Sequence, residues 1–248
     1  MTNSFAPPTI TLAAELLPAL QTQGYAVVSA SGVCQWAGTE LAALSGWQEL
    51  WGDLPADGYL RDGGRYRRRR HACFVVDGAT VTQAPHRPHW QPVEYNALHG
   101  GMARHFEAMD SAMVNAPAWS ALMTWLGALC SGLKGLQPWF VEAHQFRIDT
   151  TDGIGRPTPE GAHRDGVDMV AVFMVGRHHV KGGETRVFEA DGPNGQRFTL
   201  TEPWSLLLLD DARVIHESTP IQPLGDGGFR DTLVVTLRAK NFQAEETA

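Results

Sequence analysis

The chain has 248 residues, 43% of them hydrophobic and 19% charged, which are ordinary globular values with ample length for a core. Its net charge of -7 argues against a general nucleic-acid binder, because a phosphate backbone demands basic surface. Three dispersed cysteines, Cys34, Cys73 and Cys130, form no CxxC pair and suit a reducing compartment better than a disulfide framework.

Residues 1–8 show no basic segment followed by an apolar run, so no signal peptide is expected. No stretch approaches the roughly 20 apolar residues of a bilayer span. The expectation is a cytoplasmic protein without a membrane partner.

In chain order, Leu12, Leu16, Leu17 and Leu20 fall at helical spacing behind a Thr11 cap. Residues 24–29 read as a short strand, and Trp36 to Trp51 again looks helical. Residues 58–70 are rich in Gly and Arg and lead into a strand over 71–76. Pro85, Pro88 and Pro92 then force an irregular connection. Two helices are expected over 97–109 and 117–133, the second with proline in its first turn, where a missing N–H costs nothing. After Gly135 the character changes. Residues 138–149, 168–175, 184–189, 205–209, 213–218 and 231–238 are short and apolar or β-branched, with Gly, Pro and Asp clusters between them. That pattern indicates a sandwich or barrel. No linker interrupts the chain, so the expectation is one domain over 1–248: a mixed, helical support over 1–134 and a β core over 135–240.

The chemistry concentrates in the last third. In an extended segment, residues i and i+2 point to one side. His163 and Asp165 can therefore chelate one ion while Arg164 points away, and His216 follows 53 residues later on another apolar stretch. Two imidazoles and a carboxylate are the donor set that holds non-haem iron(II) with open positions. With ten histidines in the chain, an HxD triplet alone means little. Its context adds weight: a polar loop with Gly161 and Gly166 opens directly onto a strong strand, and Arg230 follows His216 on the next one.

The run Pro159-Glu-Gly-Ala-His163-Arg-Asp-Gly166, with Gly182-Gly183-Glu184, His216-Glu217 and Phe229-Arg-Asp-Thr232, resembles the iron(II)/2-oxoglutarate-dependent oxygenases. Within them it looks most like the bacterial branch that hydroxylates free L-amino acids, the isoleucine dioxygenase-like proteins. The resemblance covers residues 144–238 well and 65–71 loosely. It implies a mostly β fold with some α, a double-stranded β-helix (jelly roll, cupin-like) buttressed by N-terminal helices. It implies iron ligands at His163, Asp165 and His216, and a 2-oxoglutarate clamp at Arg230, 14 residues beyond the distal histidine, with Thr232 on the same strand face. A guanidinium fork can grip a carboxylate through two hydrogen bonds. Iron(II), 2-oxoglutarate and dioxygen would together hydroxylate an unactivated C–H bond, with release of succinate and carbon dioxide.

The substrate side is less defined. On the strand before the metal loop, Gln145 and Arg147 share one face and His144 and Phe146 the other, and either pair could line a pocket. Gln145 is a candidate for 2-oxoglutarate and Arg147 for a substrate carboxylate. In the basic run 65–70, Arg65, Arg67 and Arg69 alternate to one side, and Arg67 is a candidate for an anionic substrate group. Asp168 either binds a substrate amine or caps a turn. His86, His89, His99 and His105 have no assignment, and His178 and His179 read as surface. Two other functions compete. One is the same chemistry on a protein or nucleic acid, supported only by the basic run. The other is a cupin-like metal-binding protein, which would not need Arg230.

Overall fold

A computed structural model describes residues 6–244, so the first five residues of the expected leaderless N-terminus lie outside it. Strand β1 (Thr9–Ile10) leads into helix α1 (Ala13–Gln23), which buries Leu16 and Leu20 and stops at Gly24. Gly24 has φ +77, and a Cβ there would sit 2.7 Å from Val214 Cγ1, so both backbone angle and space demand glycine. Strand β2 (Tyr25–Val28) follows, buried throughout. The helix expected over 36–51 is three pieces: α2 (Ala30–Ala37), α3 (Leu41–Ser45) and a 3-10 turn, Gln48–Trp51. Gly38, in the left-handed region, ends the first, and Gly46 ends the second.

Strand β3 (Arg67–Asp77) begins four residues before the expected one, so most of the basic run is itself strand. It turns into β4 (Thr80–Gln83). No helix forms over 97–109. Gly101, with φ +71, breaks the periodicity, and the backbone finds extended partners instead. Arg104 and His89 exchange both backbone hydrogen bonds at 2.9 Å, and Glu107 and Met109 bond to the backbone of His71. This strap lies along β3. Short α4 (Ser111–Val114) and long α5 (Pro117–Lys134) follow. In α5, Trp119, Leu122, Met123, Leu126 and Cys130 recur every three or four residues and are all buried.

The remaining strands are β5 (Trp139–Asp149), β6 (Met169–His178), β7 (Val180–Gly182), β8 (Thr185–Glu189), β9 (Gly195–Phe198), β10 (Leu206–Asp210), β11 (Val214–Ser218), β12 (Ile221–Pro223) and β13 (Phe229–Arg238). The large sheet runs β1-β2-β10-β6-β13-β5-β3-β4, antiparallel except at β1–β2. A smaller sheet, β11-β8-β9, and the pair β12-β7 face it. The fold is a jelly roll, mostly β, with helices packed on one side of the large sheet.

Alternation along the strands divides the molecule. Trp139, Val141 and Ala143 of β5 and Leu233, Val235 and Leu237 of β13 join the helices in the main core. Their neighbours Phe140, Glu142, His144, Phe146 and Ile148, and Arg230, Thr232, Val234 and Thr236, line a pocket on the opposite side. Between the sheets, Val170, Met174, Phe198, Leu207 and Val214 form a second core beside that pocket. The Trp51 indole N–H donates to the carbonyls of Phe146 (3.1 Å) and Thr232 (3.2 Å), tying the helical side to both pocket-lining strands.

Candidate metal centre and substrate pocket

His163 and His216 face each other across an isolated bridge and exchange backbone hydrogen bonds of 3.1 and 3.0 Å. Their rings lie 4.6 Å apart. The Asp165 carboxylate completes the group: Oδ1 is 3.7 Å from His163 Nε2, and Oδ2 is 3.8 Å from His216 Nε2. Each residue offers one donor atom, and these atoms all lie within 4.8 Å of one another.

Three features suit a divalent cation here. His163 Nδ1 donates to the Gly161 carbonyl at 2.9 Å, which leaves Nε2 as the ring atom facing the other donors. Burial and the adjacent His163 hold His216 well below the usual histidine range, so it is neutral. Behind Asp165, the Asp211 carboxylate accepts the backbone N–H of Asp165, Gly166 and Val167 at 2.9, 2.8 and 3.1 Å. Burial and the Asp165 charge nevertheless push Asp211 up to about 6. A cation beside Asp165 would relieve that repulsion.

Further along the pocket, Arg230 and Thr232 point inward from β13, at 4% and 3% exposure. Among the described residues, no carboxylate pairs with Arg230, and its Nε has no partner. Asp231 faces the other way. Burial and the Arg177 guanidinium push Arg230 down to about 9, with Asp231 pulling the other way. An unpaired buried guanidinium costs free energy unless an anion completes it.

The remaining candidates divide cleanly. Arg67 reaches the pocket, where its Nε donates to Asp57 at 2.7 Å. Gln145 and Arg147 do not. They occupy the alternate positions of β5 and face the helical side. Gln145 is fully buried without a side-chain partner, and Arg147 forms a two-point pair with Asp231 at 2.8 and 2.7 Å. His144 and Phe146, the other pair on that strand, line the pocket instead. Asp168 also lies outside it: its carboxylate accepts the Ala239 N–H at 2.8 Å, just past the end of β13.

Other residues of the site escaped the sequence reading. His71, His89 and Glu142 join His144 in a second, buried group. Arg104 and Gln91, both on irregular chain, also line the cavity or its floor. The Gln91 side chain bridges the two regions. Its amide N–H donates to Asp165 Oδ1 at 3.3 Å, and its carbonyl accepts from Arg104 at 2.8 Å and from Asn96 at 3.2 Å. The signal available in sequence was polar side chains at every second position of otherwise apolar strands, Glu142 and His144 on β5 and Arg69 and His71 on β3.

This fold and donor set define a class: a jelly roll with two imidazoles and one carboxylate that could hold a metal ion, beside a buried arginine. Residues 48–236 match the family model described as 2OG-Fe dioxygenase, and the chain belongs to that family. The family is one of enzymes that use iron(II), 2-oxoglutarate and dioxygen. A crystal structure of a bsmA homolog from Methylobium petroleophilum PM1 is 49% identical over 97% of this chain and 98% of its own, with a TM-score of 0.92. The fold is also that of IDO from Bacillus thuringiensis (18% identity, 92% and 99% covered, TM-score 0.76). The Fe(II)/α-ketoglutarate-dependent dioxygenase TqaL shares it too, at 20% identity, with 94% and 92% covered and a TM-score of 0.71. No curated protein sequence matches. Among the described residues, no helix is long and apolar enough to cross a membrane.

Proposed function

We propose that this dioxygenase hydroxylates an unactivated C–H bond of a small molecule, a free L-amino acid, with 2-oxoglutarate converted to succinate and carbon dioxide. In this reading His163, Asp165 and His216 hold iron(II), and Arg230 and Thr232 receive the distal carboxylate of 2-oxoglutarate. The observation that carries it is Arg230, a buried guanidinium without a carboxylate, on the strand that lines the same pocket as the donor triad.

The metal, when bound, supplies the activation of dioxygen and of the oxo acid. The chain's own residues supply the rest. Gly161 orients His163, Asp211 holds the Asp165 segment, and Gln91 steadies the Asp165 carboxylate. Val172, Val234 and Phe146 provide apolar wall that excludes water from the reacting region. Support for an amino acid comes from the sequence resemblance and from the opposite charges buried in the pocket wall, Arg67, Arg69 and Arg104 with Glu142, and with Asp57 paired to the first two. The cytoplasm is the compartment that fits three free cysteines, two of them buried.

The test is a panel of L-amino acids supplied to the iron(II)-loaded enzyme with 2-oxoglutarate in air, read as succinate. At least one should raise succinate formation well above the substrate-free rate. No stimulation by any of them, with activity on peptides or oligonucleotides, would move the assignment to a macromolecular substrate.

A further inference from the structure

On β5, which pairs directly with the strand carrying Arg230, Glu142 stands opposite Thr236, toward the other end of that strand from Arg230, in a cage of imidazoles. Its Oε2 lies 2.5 Å from His89 Nδ1, 3.6 Å from His71 Nε2 and 3.7 Å from His144 Nε2. Three histidines and a glutamate suggest a second metal site, but the hydrogen bonds argue otherwise. Arg69 donates to His144 Nδ1 at 2.7 Å, which places the His144 proton on Nε2, facing Glu142. Two ligands on one tetrahedral zinc ion, each about 2.0–2.1 Å from it, stand about 3.3 Å apart. The 2.5 Å contact between His89 and Glu142 is a hydrogen bond. The group is a carboxylate that accepts one hydrogen bond, from His89, with the His71 and His144 ring nitrogens close by but beyond hydrogen-bond distance. Burial opposes the charge on Glu142, yet His89 and the neighbouring imidazoles hold it well below the usual carboxylate range.

The cage satisfies only one oxygen. Glu142 Oε1 is buried and unpartnered, and the residue is 6% exposed on the pocket wall. Arg104, at 2% exposure, donates to Gln91 through Nη2, but its Nε has no partner. Among the described residues, Arg104 pairs with no carboxylate. Arg67 and Arg69 share Asp57, at 2.7 and 3.9 Å. One anion and one cation are thus each left short of an opposite charge, in a single cavity. Gln91 links the arginine to Asp165, so Arg104 borders the candidate metal donors.

We infer that Glu142 and Arg104 form a cradle for a zwitterion: Glu142 Oε1 accepts the substrate's ammonium group and Arg104 its carboxylate. This rests on the reading of the pocket as that of a small-molecule oxygenase. His71, His89 and His144 are positioning residues that act through Glu142. Arg69 orders them from behind, stacked between Phe106 and Phe146 at 3.9 and 4.3 Å. The chemistry selects a primary or protonated amine beside a free carboxylate, and rejects N-acylated amino acids, des-amino acids and esters. It also makes this a one-metal pocket.

The test uses the full chain loaded with manganese(II) and 2-oxoglutarate, which holds the site without turnover. Binding of the twenty L-amino acids is measured by calorimetry beside their N-acetyl, des-amino and methyl ester counterparts. At least one amino acid should bind at least about tenfold more tightly than each of its three counterparts, the ratio for one charge-assisted hydrogen bond. Glu142→Gln should bring the amino acid and the des-amino acid to within a few-fold of each other. Equal binding of the des-amino or N-acetyl compound to the native protein, or discrimination that survives Glu142→Gln, would overturn the inference. So would binding of none of the twenty, or two metal ions per chain by elemental analysis. The ligand comparison needs no variant, so a misfolded Glu142→Gln protein does not rescue the idea. Loss of the oxygenase reading itself would show differently, as failure to bind 2-oxoglutarate with the metal.

Discussion

Asp211 holds Asp165 by its backbone: the Asp165 N–H donates to Asp211 Oδ1 at 2.9 Å, while Oδ2 takes the next two N–H groups. The loop that presents one proposed metal ligand is therefore shaped by a carboxylate that touches no ligand atom. Asp211→Asn keeps the size but replaces one acceptor with a donor facing an N–H. Metal affinity should fall about 10- to 100-fold, the usual effect of removing a partner that orients a ligand. Titration with iron(II) or manganese(II) measures it, and unchanged affinity would remove Asp211 from the site.

Arg230 lies in the pocket as a guanidinium awaiting an anion. Arg230→Ala should raise the 2-oxoglutarate requirement by about 10- to 100-fold, the worth of a charge-assisted pair, with iron binding retained. Arg230→Lys should recover part of the loss, since an ammonium replaces the charge but not the fork. Steady-state kinetics in 2-oxoglutarate decide both.

Gly183 guards the same arginine. It has φ +66, and a Cβ there would lie 2.8 Å from Arg177 Nη1 and 3.3 Å from Arg230 Cδ. Gly183→Ala should strain the turn by about 1 kcal/mol or more and push Arg230 out of line. The expected result is a lower melting temperature together with a higher 2-oxoglutarate requirement. A loss of stability with unchanged 2-oxoglutarate kinetics would show that the contact does not set the arginine's position.

The buried histidines make stability pH-dependent in one direction. Burial holds His71 and His144 below their ordinary value and His89 down at about 4. The unfolded chain, with histidines near 6.5, then binds more protons than the folded one as pH falls from about 6.5 to 4. Stability is complete above that window and is lost below it, by about 2 kcal/mol from His89 alone at pH 5. His163 shifts the opposite way, one group against several. Denaturant titrations at pH 7.5 and 5 should show the drop, and His89→Gln should flatten it. A stability that is level across this range would contradict the neutral, buried cage.

Much of the site was legible in sequence because its geometry is local. His163 and Asp165 sit two apart in extended chain, and Arg230 and Thr232 two apart on one strand. Alternation also sorted β5 into two faces, but it could not say which face met the helices. The apolar residues Val141 and Ala143 decided that, and they carried Gln145 and Arg147 to the helical side. Arg104 and Gln91 were out of reach, because irregular chain brings them in, held by backbone bridges to His89 and near His71. Residues 97–109 illustrate the same limit: their apolar spacing suits a helix, but Gly101 and unpaired strand edges offered the backbone a better partner.

The central claim is that His163, Asp165, His216 and Arg230 together hold iron(II) and 2-oxoglutarate. Anaerobic addition of both to the metal-free protein should produce a weak visible charge-transfer band that is absent in His216→Ala. In Arg230→Ala the band should require far more 2-oxoglutarate. A native protein that develops no band, and forms no succinate when air is admitted, would contradict the account.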